Sequence, residues 1–281
     1  MRFAIRRVSG EPDLELTAAH QEIAAPRHGT IAWDAFDRTA YGPYDLEDAA
    51  SAWGARAMQE YHSLALFTQI ASQVHLLGAP LDWSGAFARM IGDEVRHTEI
   101  SARMCEALGG VPNEVEPGHL HLSVVDRSLR GHVRRSIVAA FCIGETLSGR
   151  MFRRCLRAAT VPLAEHVVRT IVDDETFHGR FGWEAAALLM RPDGASFDEE
   201  RATLAAALPE LFLHYRHLCG AERGSAWARG AEEAKGAPNF GTLTDAGYAR
   251  AFFDGMNEDV VPGLVAIGLP EAEGAWAGCC A

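Results

Sequence analysis

The sequence predicts an all-α protein: four long helices arranged as two antiparallel hairpins joined by a long crossover, with an N-terminal arm and extra C-terminal helices. Three observations predict it. Apolar residues recur at intervals of three and four along four long runs. Prolines and clustered glycines separate those runs, as at Gly78-Ala79-Pro80, residues 109–123 and Arg191-Pro192-Asp193-Gly194. Strand-like alternation is weak throughout, and no internal repeat stands out. With 281 residues, 48% of them apolar and 23% charged, the chain can bury a substantial core.

The elements follow in order. Residues 1–45 carry Pro12, Pro26, Gly29, Gly42 and Pro43, which break any long pattern, so an irregular arm with at most a short strand or helix is expected. The first run, 46–77, places Trp53, Ala57, Leu64, Phe67 and Ala71 on one face with Glu60, and ends at Gly78-Ala79-Pro80. The second, 81–108, stops at Gly109-Gly110, a common helix C-terminal signal. Residues 109–123 hold three glycines and two prolines and read as the crossover, reaching at most about 50 Å when extended. The third run, 124–158, surrounds Glu145 with Val138, Phe141, Cys142, Gly149 and Phe152. Thr160 with Pro162 reads as a cap and first turn opening a fourth run to Met190, which Arg191-Pro192-Asp193-Gly194 ends. At 1.5 Å per residue these helices span roughly 40–50 Å, and long helices with such a stripe pack as a bundle. Residues 196–221 read as a fifth helix bent at Pro209, 222–241 as a Gly-rich loop, and 242–268 as one or two short helices. The domain reading is an arm at 1–45, a bundle at 46–191 and a C-terminal extension at 192–281 packed on the bundle.

Composition excludes several functions. The net charge of −12 disfavours nucleic acid and anionic membrane as partners. No apolar run reaches the roughly 18 residues of a membrane span. The start, with Arg6-Arg7 but no apolar stretch after it, lacks a secretory or twin-arginine signal, so a cytoplasmic protein is expected. Six widely spaced cysteines without C-x-x-C then read as reduced thiols, four of them acting as small hydrophobes on helix faces.

The chemistry lies in an ordered set of acids and histidines. The four runs carry Glu60, then Asp93-Glu94-Val95-Arg96-His97, then Glu145, then Asp174-Glu175-Thr176-Phe177-His178. Residues i and i+3 lie about 60° apart around a helix, so Glu94 and His97 can share one metal ion, as can Glu175 and His178. The solitary Glu60 and Glu145 cap or bridge. Four carboxylates and two imidazoles largely neutralise two divalent ions, and this oxygen-rich set suits Fe or Mn. With 23 Glu and 12 His, about one Glu-x-x-His is expected by chance, and there are three. Glu116–His119 falls in the crossover without helical geometry and is coincidental. The other two are each preceded by Asp, and each follows a solitary glutamate, by 34 residues before Glu94 and 30 before Glu175. A lone Glu or His on a helix is most often solvated. Four buried carboxylates without a metal would be costly unless protonated or paired.

This pattern resembles the ferritin-like di-iron carboxylate superfamily, and the Asp-Glu-x-Arg-His form at 93–97 resembles its oxidase and oxygenase branch. The resemblance covers residues 46–190. It implies a ferritin-like four-helix bundle with Glu60, Glu94 and His97 as one ligand set and Glu145, Glu175 and His178 as the other, Glu94 and Glu175 bridging. It implies that Asp93 and Asp174 accept the free ring N–H of a ligating histidine and fix its tautomer. The implied cofactor is two iron ions, with Mn/Fe and Mn/Mn as alternatives. The implied activity is O2 activation to hydroxylate, desaturate or N-oxygenate a small organic substrate. Electrons come from an external donor, since no G-x-G-x-x-G is present. The alternative is a ferroxidase, metal-storage or peroxide-protection protein. Departures narrow the choice. Thr176-Phe177 replaces a basic residue before the histidine. No tyrosine lies within two turns after His97. Ile171 and Val172 stand where the arylamine N-oxygenases carry a third histidine, and no four-cysteine rubredoxin-like module is present.

About 135 residues lie outside 46–191. That is more than a storage-shell subunit needs, and it is expected to cover a pocket or form a homodimer. Small residues near the ligands (Ser63, Gly149 and Gly182) leave either pocket space or room for close helix packing. Phe67, Phe141, Phe152, Phe177 and Phe181 either line an apolar cavity or fill the core. The third run also carries Arg127, Arg130, Arg134, Arg135, Arg150, Arg153, Arg154 and Arg157 toward its ends. They form a solvated face or a site for an anionic substrate, a carrier arm or a reductase.

Overall fold

A computed structural model describes residues 3–4, 14–112, 114–115, 128–230 and 237–280. The regular structure of the described residues is helical apart from one two-residue antiparallel pair, in which Phe3 faces Val115 and Ala4 faces Glu114. The chain divides into two units, one of residues 1–123, 158–174 and 238–242, the other of residues 124–157, 175–237 and 243–281.

In the first unit, α1 (Leu14–Ala24) packs on α3 (Leu81–Ala107), and α3 packs along α2 (Pro43–Leu76). α2 opens with Pro43 in its first turn, where the missing N–H costs nothing. The two helices end as their glycines direct: Gly78 and Gly109 take φ of 74° and 94° and turn the chain out of helix. α1 is an eleven-residue helix within the stretch expected to be largely irregular. Trp53, Phe67, Phe87 and Met90 fill the core, and the Trp53 indole N–H donates to the Phe240 carbonyl at 2.8 Å. Thr160 does not cap α6 (Pro162–Leu189) as its sequence position suggests. Its hydroxyl instead accepts from the Asn239 N–H at 2.8 Å, a partner 79 residues away that local reading cannot supply.

In the second unit the third run is one continuous helical path with a change of winding inside it. α4 (Leu129–Ile137) starts at Ser128, whose hydroxyl accepts from the Gly131 N–H at 3.2 Å. A π-helical stretch, Val138–Glu145, follows, and α5 (Thr146–Ala158) resumes the normal pitch. α7 (Phe197–Leu218) runs through Pro209 and packs against α4 and α11 (Glu271–Cys280). α8 (Ser225–Gly230) is a correction to the loop read over 222–241: Arg223 stacks on Trp227 at 4.2 Å and Ala228 is buried, which holds one helical turn. α9 (Asp245–Gly255), a second π-helical stretch (Met256–Val260) and α10 (Val261–Ala266) complete the unit. Cys105, Cys142, Cys155 and Cys279 are buried, as small hydrophobes on helix faces should be. Among the described residues no helix is long and apolar enough to cross a membrane. The crossover residues Glu116 and His119 and the start of the third run at 124–127, Arg127 included, lie outside the described residues.

Candidate metal centre

Each unit buries one of the two ligand sets read from the sequence. In the first, α2 supplies Glu60 and α3 supplies Glu94 and His97, exposed by 7%, 1% and 0%. One donor atom from each lies within 4.8 Å of the others. The Nδ1 of His97 stands 3.6 Å from a Glu60 oxygen and 3.8 Å from a Glu94 oxygen. The i, i+3 spacing does here what helix geometry requires, putting both α3 donors on the stripe that faces α2.

Behind the imidazole is a network of charges. The Nε2 of His97 lies 3.4 Å from Asp174 Oδ2, which also accepts from Arg96 Nη1 at 2.9 Å. Arg96 donates to Asp93 Oδ1 as well, at 2.7 Å, and its Nε donates to the Ala25 carbonyl at 2.7 Å. Arg27 reaches the same two carboxylates, its Nε donating to Asp174 at 2.8 Å and its Nη2 to Asp93. Arg89 Nε also approaches Asp93 Oδ2, at 3.6 Å, so three guanidinium groups face the two aspartates, and Glu60 and Glu94 are buried in the same unit. Burial opposes a charge on His97. The close approach of the Asp174 and Glu60 carboxylates, with their negative charge, outweighs this and pushes the imidazole up to about 9. Burial likewise raises Asp174, and the hydrogen bond and charge of His97 with the charge of Arg96 more than reverse it, holding the carboxyl below its ordinary range. Asp174 thus stands against the Nε2 edge of His97, whereas Asp93 meets guanidinium groups and no histidine contact of it is seen.

In the second unit, Glu145 ends the π-helical stretch while Glu175 and His178 come from the second half of α6; all three are buried. Their donor atoms again lie within 4.8 Å of one another. His178 Nδ1 is 3.1 Å from Glu145 Oε2 and 3.9 Å from Glu175 Oε1. In both units the Nδ1 edge of the imidazole turns to the carboxylates. Three hard or borderline donors with this spacing fit Fe or Mn and lack the thiolates that softer metals favour.

No family model, curated protein or solved structure matches this chain. The all-helical fold and the buried Glu/His clusters are accordingly read from the residues themselves.

The other named residues divide. Gly149 borders Glu175: a methyl there would lie 3.8 Å from Glu175 Cβ and 3.3 Å from an Arg153 nitrogen. Gly182 does not open space, since its methyl would lie 2.4 Å from Phe141 Cβ and 3.0 Å from the Phe141 carbonyl carbon. Close packing decides that position. Gly182→Ala is expected to cost about 1–3 kcal/mol, because the obstacle is backbone that cannot rotate away; a urea midpoint equal to wild type would contradict it. Phe67, Phe141 and Phe152 are buried, and Phe141 meets Phe181 edge-on at 5.6 Å. Ser63 and Phe177 are half-buried. Of the arginines, Arg130 and Arg134 pair with Asp193, Arg134 also with Glu200, and Arg150 with Glu258 and Asp259. At those positions the run is a set of ion pairs.

Sequence reading assigned no role to Arg27, Arg96, Tyr215 or the π-helical winding. Only Arg96 had a local signal, its i+3 spacing from Asp93.

Proposed function

We propose that this chain is a ferritin-like di-metal carboxylate oxidoreductase, a four-helix bundle that uses two iron ions, or a Mn/Fe or Mn/Mn pair, to oxidise a small organic substrate. In this reading Glu60, Glu94 and His97 would hold one ion, and Glu145, Glu175 and His178 would hold the other. One observation carries the reading: each Glu-x-x-His is buried together with its own upstream glutamate, donor atoms within 4.8 Å. Buried carboxylates gathered this closely are costly unless they are protonated, paired or bound to a cation.

The metal pair, when bound, supplies O2 activation driven by electrons from an external donor. The chain's own residues prepare for it. With metal bound, Asp174 would hold the proton on Nε2 of His97, and loss of the Nδ1 proton that the raised imidazole otherwise carries would leave Nδ1 to face Glu60 and Glu94 as an electron-pair donor. Arg27 and Arg96 pair with both Asp93 and Asp174 beside two further carboxylates. Phe141, Phe152 and Phe181 give the second unit an apolar wall that excludes water from the ligand helices. Hydroxylation, desaturation and N-oxygenation share these requirements.

Protein expressed in iron-rich medium is expected to carry two iron or manganese ions per chain by elemental analysis, and a homodimer is expected by light scattering. Metal at trace level would overturn the reading. A large closed shell with many ions per chain would favour ferroxidase or storage function instead.

A further inference from the structure

The helix carrying Glu145 is wound differently from its flanks, and α7 touches it at the point of change. The Tyr215 hydroxyl donates to the Ala139 carbonyl at 2.7 Å, at the second residue of the π-helical stretch. At the other end of that stretch, the residue before Glu145 is Gly144, where a methyl would lie 2.9 Å from the Tyr215 hydroxyl oxygen and 3.5 Å from its ring. The phenol thus reaches both ends of the segment, by a hydrogen bond at one and by close approach at the other. Its own ionisation is pushed far up, first by burial and then by the negative charge of Glu145.

We propose that Tyr215 is a positioning residue for Glu145: its hydroxyl holds 138–145 in the π register that brings the Glu145 carboxylate to His178. A π-helical turn takes one more residue than an α-turn, and such stretches persist where a side chain inserts into the backbone ladder. If the segment relaxed to α, Glu145 would swing by about 100° around the axis, the angle of one residue. The 3.1 Å approach to His178 Nδ1 would then be lost. Gly144 is part of the same device, because any side chain there would displace the phenol. The inference gives a C-terminal helix a share in the ligand set, and it rests on reading Glu145 as a ligand.

Tyr215→Phe removes the hydroxyl alone. Its metal-free crystal structure is expected to show 138–145 in α register with Glu145 turned away from His178. Retention of the π stretch with Glu145 still beside His178 would overturn the proposal. In Mn(II) titrations of apoprotein, the variant is expected to bind one ion as wild type does and the second about 10–100-fold more weakly. The weakened ion should be the one lost in Glu145→Ala, and Gly144→Ala should reproduce the loss. Unchanged binding of both ions would overturn the proposal, as would equal weakening of both with a lowered melting temperature, which is the mark of a merely structural role. Wild type that binds no Mn(II) would defeat the di-metal reading instead, while the register in the metal-free crystals would still decide the role of Tyr215.

Discussion

Glu94→Gln is expected to abolish tight metal binding at the α3 ligand set, weakening it by more than about 100-fold, while leaving the fold intact. Residues that merely support a ligand typically cost 10–100-fold in affinity, so removal of a donor itself should exceed that range. The isosteric amide keeps the volume of a side chain that is 1% exposed, so the result is not confounded by a cavity. The sign of the stability effect separates a ligand from an ordinary ion pair. Without metal, Glu94 adds negative charge to a buried region that already holds Glu60, Asp93 and Asp174. Metal-free Glu94→Gln should therefore melt no lower than metal-free wild type. With metal at 100 times its Kd, wild type should gain about 2.7 kcal/mol and the variant far less. His178→Ala should remove the other ion in the same way, and Glu116→Ala in the third Glu-x-x-His should change neither. Equal metal content in Glu94→Gln, His178→Ala and wild type would remove the site assignment.

The parts of this molecule that were legible in its sequence are those set by short-range rules. α2, α3 and α6 begin and end within a few residues of the positions that Pro43, Gly78, Gly109 and Pro162 dictate. The six ligand candidates follow from an i, i+3 spacing repeated on two helices with a glutamate before each, and each set of three converges. What escaped is set by long-range contact. Arg27 meets Asp93 and Asp174 across 66 and 147 residues, and nothing around Pro26 signals it. The π winding of Val138–Glu145 leaves no mark in a stretch as uniformly apolar as Val-Ala-Ala-Phe-Cys-Ile-Gly, because every register buries it equally. Tyr215 lies 76 residues from the carbonyl it contacts. Glycine was ambiguous for a related reason: absence of a side chain marks both a cavity and a close approach. Only the neighbouring Phe141 backbone settles Gly182.

Arg96→Leu is expected to be among the most destabilising substitutions in the first unit, costing about 3–5 kcal/mol in metal-free protein. The guanidinium is almost wholly buried between Asp93 and Asp174 at 2.7 and 2.9 Å, and its Nε also holds the Ala25 carbonyl. Its loss leaves two buried carboxylates facing Arg27 and, at Asp93, Arg89 at 3.6 Å, whose side chains are 38% and 39% exposed, with His97 beside Asp174. Arg27→Ala should cost less, about 1 kcal/mol or under, because solvent screens a half-exposed partner. Arg180→Ala sets the lower bound. Its i, i+4 pair with Glu184 has the same kind of geometry, at 2.8 Å, but side chains 76% and 63% exposed, so its loss should leave the urea midpoint close to that of wild type. The mechanism also predicts the rescue: Arg96→Leu combined with Asp93→Asn should recover part of the loss, since the penalty is an unmatched buried charge rather than a missing contact. Urea unfolding of the four variants in chelator distinguishes the cases. If Arg96→Leu costs no more than Arg180→Ala, the charges behind His97 are not held out of water, and the argument that Glu60 and Glu94 need a cation fails with them.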